Sequence, residues 1–275
     1  MSAKVSATRD GEPSRVANLF CQVGLQEREA APPTDAESGL WPVGTKVVWE
    51  IQPGEPIPGT IERDNGDGTY DVKWTCGGWR REPDRGKRVE KGRIQPAPDT
   101  SEWLKKLHAG EKDLRGADLR FTDLTGIDFI GRDMRNARFD GSKIVNCSFG
   151  LTDPVTGKTD ASRRGSLPEL EGATFYCATL IDVDFQLNVL KGVKFGTQFC
   201  GAILIRVDFQ GATLNGVFFV GTTLEKVNFR DAKMEAKVEF NDAICIECDF
   251  NSAHVTGMVQ VQTMQFSPLD IPKPK

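Results

Sequence analysis

Residues Leu114–Phe149 read LRGADLRFTDLTGIDFIGRDMRNARFDGSKIVNCSF. Every fifth residue of this stretch is large and apolar: Leu114, Leu119, Leu124, Phe129, Met134, Phe139, Ile144 and Phe149. Two positions earlier stands a smaller residue, as in Ala117, Thr122, Ala137, Ser142 and Cys147, and Asp118, Asp123, Asp128 and Asp133 lie between the two. Neither the period of 2 of a strand nor the 3.6 of a helix gives strict intervals of five. A repeat this short predicts a solenoid, in which each unit buries its apolar residue only by stacking on its neighbours.

The pattern pauses at Phe149 and resumes at Leu170. It continues through Phe175, Leu180, Phe185, Leu190 and Phe195, slips to Phe199, and then runs Leu204, Phe209, Leu214, Phe219, Leu224, Phe229 and Met234. A second slip leads to Phe240, Cys245, Phe250 and Val255. Aliphatic and Phe positions alternate, which predicts Phe stacked over Phe on opposite sides of the rod, except where Phe195 and Phe199 break the order. The gap, GLTDPVTGKTDASRRGSLPE (150–169), is rich in turn formers and reads as a surface loop suited to partner contact or to a neutral insertion.

These residues resemble the pentapeptide-repeat family, whose unit is A-D/N-L-x-x; Ala117-Asp118-Leu119-Arg120-Phe121 matches it as it stands. The resemblance implies an all-β fold, a right-handed four-sided β-helix with one pentapeptide per side. About 26 pentapeptides then make about six and a half coils, a rod on the order of 30 Å long at the spacing of paired strands.

Upstream, residues 41–98 change character. Val43–Glu50 alternates as a half-buried strand, Gly59–Arg63 and Thr69–Trp74 read as two more, and Arg93-Ile94 begins a last short one. Asp64-Asn65-Gly66-Asp67-Gly68 is a tight turn, since Asn and Gly tolerate positive φ. Pro58-Gly59-Thr60-Ile61 followed by Asn65–Val72 resembles the SH3-like barrel of Tudor and Agenet-type modules. That resemblance implies an aromatic cage for a methylated peptide tail, with Trp49, Tyr70, Trp74 and Trp79 as candidates. The sequence departs from the module at Pro56-Ile57-Pro58, where an aromatic pair is usual, and at Thr75–Gly78, where an acidic stretch is usual. The alternative for Trp49, Tyr70 and Trp74 is the core of the barrel itself.

The remaining segments frame these two. Residues 1–40 form a polar leader with a short apolar stripe (Val16, Leu19, Phe20, Val23), either a tail or a docking peptide. Residues 99–111 hold a capping helix from about Glu102 to His108, with Trp103, Leu104 and Leu107 on the face that covers the first coil. The β-helix is expected over 112–260, and 261–275 form a tail.

Net charge is −4 over 275 residues, with 35 basic and 39 acidic side chains, so no global field selects nucleic acid. The densest basic stretch, Arg80–Arg93, lies in a segment (41–99) with ten basic and ten acidic residues, which predicts a mixed-charge loop. Seven scattered cysteines do not make a disulfide framework and suit a reducing compartment, cytoplasmic or inside an organelle or nucleus. Cys245-Ile-Glu-Cys248 has a metal-like spacing, but the repeat register turns both residues toward the core and no second pair completes a site.

Two histidines, no phosphate-binding glycine loop and repeat-spaced carboxylates leave no catalytic residues, metal or cofactor to assign. The expected role is a non-enzymatic scaffold or structural subunit whose partners are other proteins in a larger assembly, with no small-molecule substrate and no membrane span. Two alternatives stand beside it: a reader of methylated tails, and a DNA mimic that binds a topoisomerase. The mimic has little charge to work with, because residues 112–260 hold 20 acidic and 17 basic side chains, a net of −3.

Overall fold

A computed structural model describes residues 41–52, 55–75, 86–191, 199–262 and 265–266. The leader 1–40, Trp79, Phe195 and the end of the tail lie outside the described residues.

The first element is a half-barrel, a five-stranded antiparallel sheet of β1 (Lys46–Gln52), β2 (Glu55–Asp64), β3 (Thr69–Trp74), β4 (Val89–Glu90) and β5 (Gln95–Pro96). The strand order is β4-β3-β2-β1-β5, so the last strand returns to pair with the first. In the β2–β3 turn, Asp64 and Asp67 carboxylates accept from the main-chain N–H groups of Gly66 and Thr69, which holds the turn closed from its own side chains. The final strand expected from Arg93 starts at Gln95 as β5, after a 3-10 turn over Lys91–Arg93, and β4 before that turn is a strand the sequence reading did not place.

Helix α1 (Ser101–His108) follows, one residue longer at its start than the sequence pattern suggests. Asp99 accepts from the Ser101 N–H at 2.9 Å, taking up one of the donors that a helix start leaves without a partner. Leu107 is 1% exposed, and Trp103 and Leu104 pack beside it against the core of the coil below.

From Leu114 onward the chain winds as a four-sided β-solenoid. Strand residues pair in parallel with those one coil away, as Leu124 does with Ile144 and Ile144 with Leu180. The third side of the rod thus becomes a seven-stranded parallel sheet, and the first side a four-stranded one. Leu114, Leu119, Leu124, Phe129, Phe139, Phe149, Phe175, Phe185, Phe209, Phe219 and Phe229 are at most 1% exposed, and Phe250 in the last described coils is partly buried.

Two Phe columns fill the interior. On the fourth side Phe129, Phe149, Phe185, Phe209, Phe229 and Phe250 stack face to face at 4.2–5.2 Å. On the second side Phe139, Phe175, Phe199, Phe219 and Phe240 stack at 4.8–5.2 Å. Rings of opposite columns meet edge to face, as Phe175 and Phe185 do at 87°, the other favoured arrangement of aromatic quadrupoles. The first slip therefore leaves the columns intact. Phe199 takes the second-side position, stacked on Phe175 and Phe219.

Each coil turns its corners with the residue two places after the large one, held at positive φ. Glycine takes this place at Gly116 and Gly126, and Asn136, Asp182 and Arg206 take it elsewhere. In most coils an Asp or Asn before the large residue accepts from a main-chain N–H of the turn: Asp128 from Ile130, Asp208 from Gln210, Asn228 from Arg230. The acidic positions of the repeat are thus turn caps first and surface charges second.

Candidate interaction surfaces

The half-barrel aromatics do not form an open cage among the described residues. Tyr70 is 0% exposed in the centre of the half-barrel core, its hydroxyl accepting from the Trp41 N–H at 3.1 Å. Trp41 stacks on the Tyr70 ring at 5.6 Å and receives the Lys91 ammonium at 5.1 Å from its own ring. Trp74 is 9% exposed and tilts against the half-buried Trp49 at 6.0 Å. Tyr70 and Trp74 are spent on packing because so small a sheet has few other large side chains with which to fill its interior. In the basic stretch, Lys87 pairs with Asp71 and Arg88 with Asp67, so these charges are met within the half-barrel.

That half-barrel core does not close on itself. It includes Cys177, which lies at a corner of the third coil, together with Val47, Ile57, Ile61, Tyr70, Val72 and Ile94. One coil below, Gly141 stands at φ +65°, and a Cβ there would sit 2.8 Å from Pro58 Cβ. Half-barrel and rod therefore share a seam along the corner between the second and third sides. Cys177 is 3% exposed in this seam and is disulfide-bonded.

Beyond the seam, the outward side chains of the rod differ sharply from side to side. On the seven-stranded third side Val145, Thr179, Ile181, Ile203, Ile205, Ile244 and Ile246 are partly exposed, and Thr125, Thr223 and the charged Asp123, Lys143 and Glu225 share that side with them. On the four-stranded first side the equivalent places hold Thr213, Asn215, Lys233, Glu235 and His254, with Val189 the one aliphatic residue among them. Strand propensity favours β-branched residues on both sides equally, so it does not account for the contrast. The apolar rows continue around the corner to the half-exposed Phe218 and Val220 on the second side. The sequence carries this signal in the triplets Ile203-Leu204-Ile205 and Ile244-Cys245-Ile246, which the five-residue reading passes over because it attends to the central residue alone.

Residues 113–150 and 195–235 match the family model for pentapeptide repeats, in eight copies. The rod is a pentapeptide-repeat solenoid. Among solved structures, this chain is similar to a pentapeptide repeat protein, Rfr23, from the cyanobacterium Cyanothece 51142, at 20% identity and a TM-score of 0.38, over 60% of this chain and 97% of that one. It is similar to QnrB1, a plasmid-mediated fluoroquinolone resistance protein, at 13% identity and a TM-score of 0.22, over 55% and 90%. It is also similar to HetL of Nostoc sp. strain PCC 7120, a pentapeptide repeat protein involved in heterocyst differentiation regulation, at 17% identity and a TM-score of 0.16, over 60% and 93%. No curated protein matches the chain.

Three carboxylates of the pentapeptide-repeat rod, Asp113, Asp118 and Asp133, are met by arginines two residues on. Arg115 donates to both oxygens of Asp113, at 2.8 and 2.6 Å, and its guanidinium holds the Asp113 carboxyl down at about 2. Arg135 does the same for Asp133 and lowers it too. Burial pulls Asp118 upward, but the Arg120 guanidinium outweighs it and the net shift is down. Asp140, beside the seam and 1% exposed, goes the other way: burial raises it despite Arg138 at 3.2 Å. Asp184, 7% exposed, is raised by burial as well.

The 150–169 insertion folds back on the fourth side of the pentapeptide-repeat rod. Asp184 accepts from the Thr152 N–H at 2.5 Å, Arg163 pairs with Asp128 at 2.5 Å, and the Gly131 N–H donates to the Ser166 carbonyl at 2.6 Å. Beneath the insertion lies a cavity of about 200 Å³, lined in part by Asn146, Cys147, Thr152, Pro154 and Asp182. Burial pushes the Cys147 thiol up to about 11, leaving it a packing group and no nucleophile. Cys245 is fully buried, and the half-buried Cys248 donates to the Leu224 carbonyl at 3.5 Å. Among the described residues no group of three or more His, Cys, Asp or Glu side chains is placed to hold a metal. No helix among them is long and apolar enough to cross a membrane.

Proposed function

We propose that the protein is a non-enzymatic docking scaffold within a larger protein assembly, and that the third side of the rod is its principal contact surface. The observation that carries this reading is the contrast between outward rows: mostly β-branched on the seven-stranded side, with Asp123, Lys143 and Glu225 among them, and mostly polar on the four-stranded side of the same rod. A flat parallel sheet presents those side chains at fixed spacing, so a partner with an apolar face gains contact area at little cost in ordering. The half-barrel, which shares the Cys177 seam with the rod, borders this surface at the corner between the second and third sides. Duplex mimicry draws less support, since Asp113, Asp118 and Asp133 are each neutralised by an arginine two residues on.

The test uses the full chain carrying Ile181→Glu with Ile205→Glu, on adjacent strands, and a control with Thr213→Glu on the first side. Extracts of the cell it comes from are resolved by native electrophoresis. Parent and control are expected to migrate together in one assembly, with the double variant released to its own mass. Equal migration of all three sinks the assignment of the third side, and a parent that migrates as a monomer sinks the scaffold itself.

A further inference from the structure

The insertion carries the run Arg163-Arg164-Gly165-Ser166-Leu167, in which two arginines stand three and two places before a serine and an aliphatic residue follows it. We propose that Ser166 is a phosphorylation site for a serine kinase of the arginine-directed class. Such an enzyme reads charge pattern: acidic subsites pair with the two guanidinium groups, and an apolar subsite takes the side chain after the serine. In the transfer, Ser166 Oγ bonds to the γ-phosphorus of a nucleoside triphosphate and the bond from that phosphorus to the bridging oxygen breaks. The hydroxyl proton passes to the kinase's base, and a nucleoside diphosphate leaves.

The structure presents most of this motif and withholds one part of it. Ser166, Arg164 and Gly165 are exposed and Leu167 is half-buried. The Arg163 side chain is only 11% exposed, with Nη2 2.5 Å from Asp128 and Nη1 3.6 Å from Asp153. Its Nε is buried without a hydrogen-bond partner. A kinase that needs both arginines acts only after Arg163 leaves Asp128, so this ion pair gates the site. The segment is a 3-10 turn over Ala161–Ser166, started by the Asp160 carboxylate accepting from the Ser162 N–H at 2.8 Å. A short turn with no buried residue of its own opens far more readily than the rod beneath it.

The product would hold the gate open. A phosphoryl group adds a charge of about −1.5 to −2 close in sequence to Arg163 and Arg164, on a loop that lies against Asp128 of the rod and already carries Asp153. Like-charge repulsion then weakens the loop's seat on the fourth side, and Arg163 gains a nearer and stronger partner. Phosphorylation would thus convert the insertion from a folded-back flap to a released one.

The experiment treats the purified, folded full chain with the catalytic subunit of cyclic-AMP-dependent protein kinase and ATP, and maps phosphate by mass spectrometry. Parent, Ser166→Ala and Asp128→Asn are compared; the asparagine keeps the turn cap at Ile130 and removes the charge that holds Arg163. One phosphate on Ser166 is expected in the parent and none there in Ser166→Ala. The initial rate in Asp128→Asn should rise about threefold or more, as for loss of an ion pair that closes the loop. Phosphate at another residue, labelling of Ser166 in heat-denatured chain alone, or no labelling of either form overturns the site. A rate unchanged in Asp128→Asn overturns the gate.

Discussion

The side-chain amide of Asn188 donates to the main-chain carbonyl of Phe149 at 2.5 Å, across 39 positions of sequence. At an uninterrupted corner this carbonyl would accept from the N–H three residues on, as Met134 does from Ala137 and Leu170 from Ala173. After Phe149 the chain departs into its insertion, and the Thr152 N–H goes to Asp184 instead. Asn188, one coil later and 0% exposed, supplies the missing donor from a place where the repeat otherwise holds a small residue. Asn188→Ala is expected to cost about 1–3 kcal/mol, the penalty for an unsatisfied buried carbonyl. Urea unfolding checks it: the midpoint should fall while the slope stays the same. Loss of slope as well would mean that the insertion had come away from the rod.

That pair also marks how far the sequence could be read. The five-residue period exposes the rod, the inward residues and both slips, because burying a large side chain at every fifth place is a demand made by one coil on the next. Asn188 is invisible to that reading, since its partner is set by where a loop leaves the rod. The apolar rows at Ile181, Ile205 and Ile246 were in plain view but sit outside the inward register. The seam escaped for a different reason: Cys177 and Gly141 occupy corner positions, which the repeat allows to be almost any residue that tolerates positive φ. Tyr70 was read both as a cage wall and as core, and only the three-dimensional sheet distinguishes an aromatic with 0% exposure from an open one.

The seam gives a second prediction. Gly141 and Gly131 have nearly the same backbone, at φ +65° and +71°, yet a Cβ on Gly131 meets nothing within 4 Å. Alanine at either position carries the left-handed strain of about 1 kcal/mol. At Gly141 it also meets Pro58 at 2.8 Å and Phe121 at 3.2 Å. Gly141→Ala should therefore lower the melting temperature further than Gly131→Ala and make the half-barrel more sensitive to protease, while the rod's circular dichroism is kept. Equal losses in the two variants would show that Pro58 does not bear on the corner.

The Phe columns predict a position-dependent cost. Phe185 stacks on Phe149 at 4.7 Å and on Phe209 at 5.1 Å, with Phe175 and Phe199 edge-on at 5.9 and 6.0 Å. Phe129 heads its column and stacks on Phe149 alone among the column rings. Phe185→Ala should cost about 3–5 kcal/mol, with Phe129→Ala at the low end of that range or below it. Because coils touch only their neighbours, the central variant should also broaden the denaturant transition as the two halves part company. A sharp, single transition with equal costs would indicate that the columns are not the unit that carries cooperativity.

Two aspartates predict opposite responses to pH. Arg115 holds Asp113 at about 2 in the fold against an ordinary value of 3.8. Its contribution is therefore fully present above the ordinary value and is lost as pH falls from about 4 through about 2. Asp140 is raised above 3.8 by burial, so the fold prefers it protonated. Its charge costs stability progressively as pH climbs from 3.8 through that raised value, and the cost then stays level. Asp113→Asn should lower the melting temperature near neutral pH, and the gap to the parent should close as pH falls from about 4 toward about 2. For Asp140→Asn, the melting temperature relative to the parent should be more favourable near pH 7 than near pH 4. The asparagine can still accept from the Tyr176 N–H. Should the two variants instead track the parent in parallel across that range, burial of Asp140 would not be governing its titration, and the ion pair with Arg138 would have to be the stronger influence.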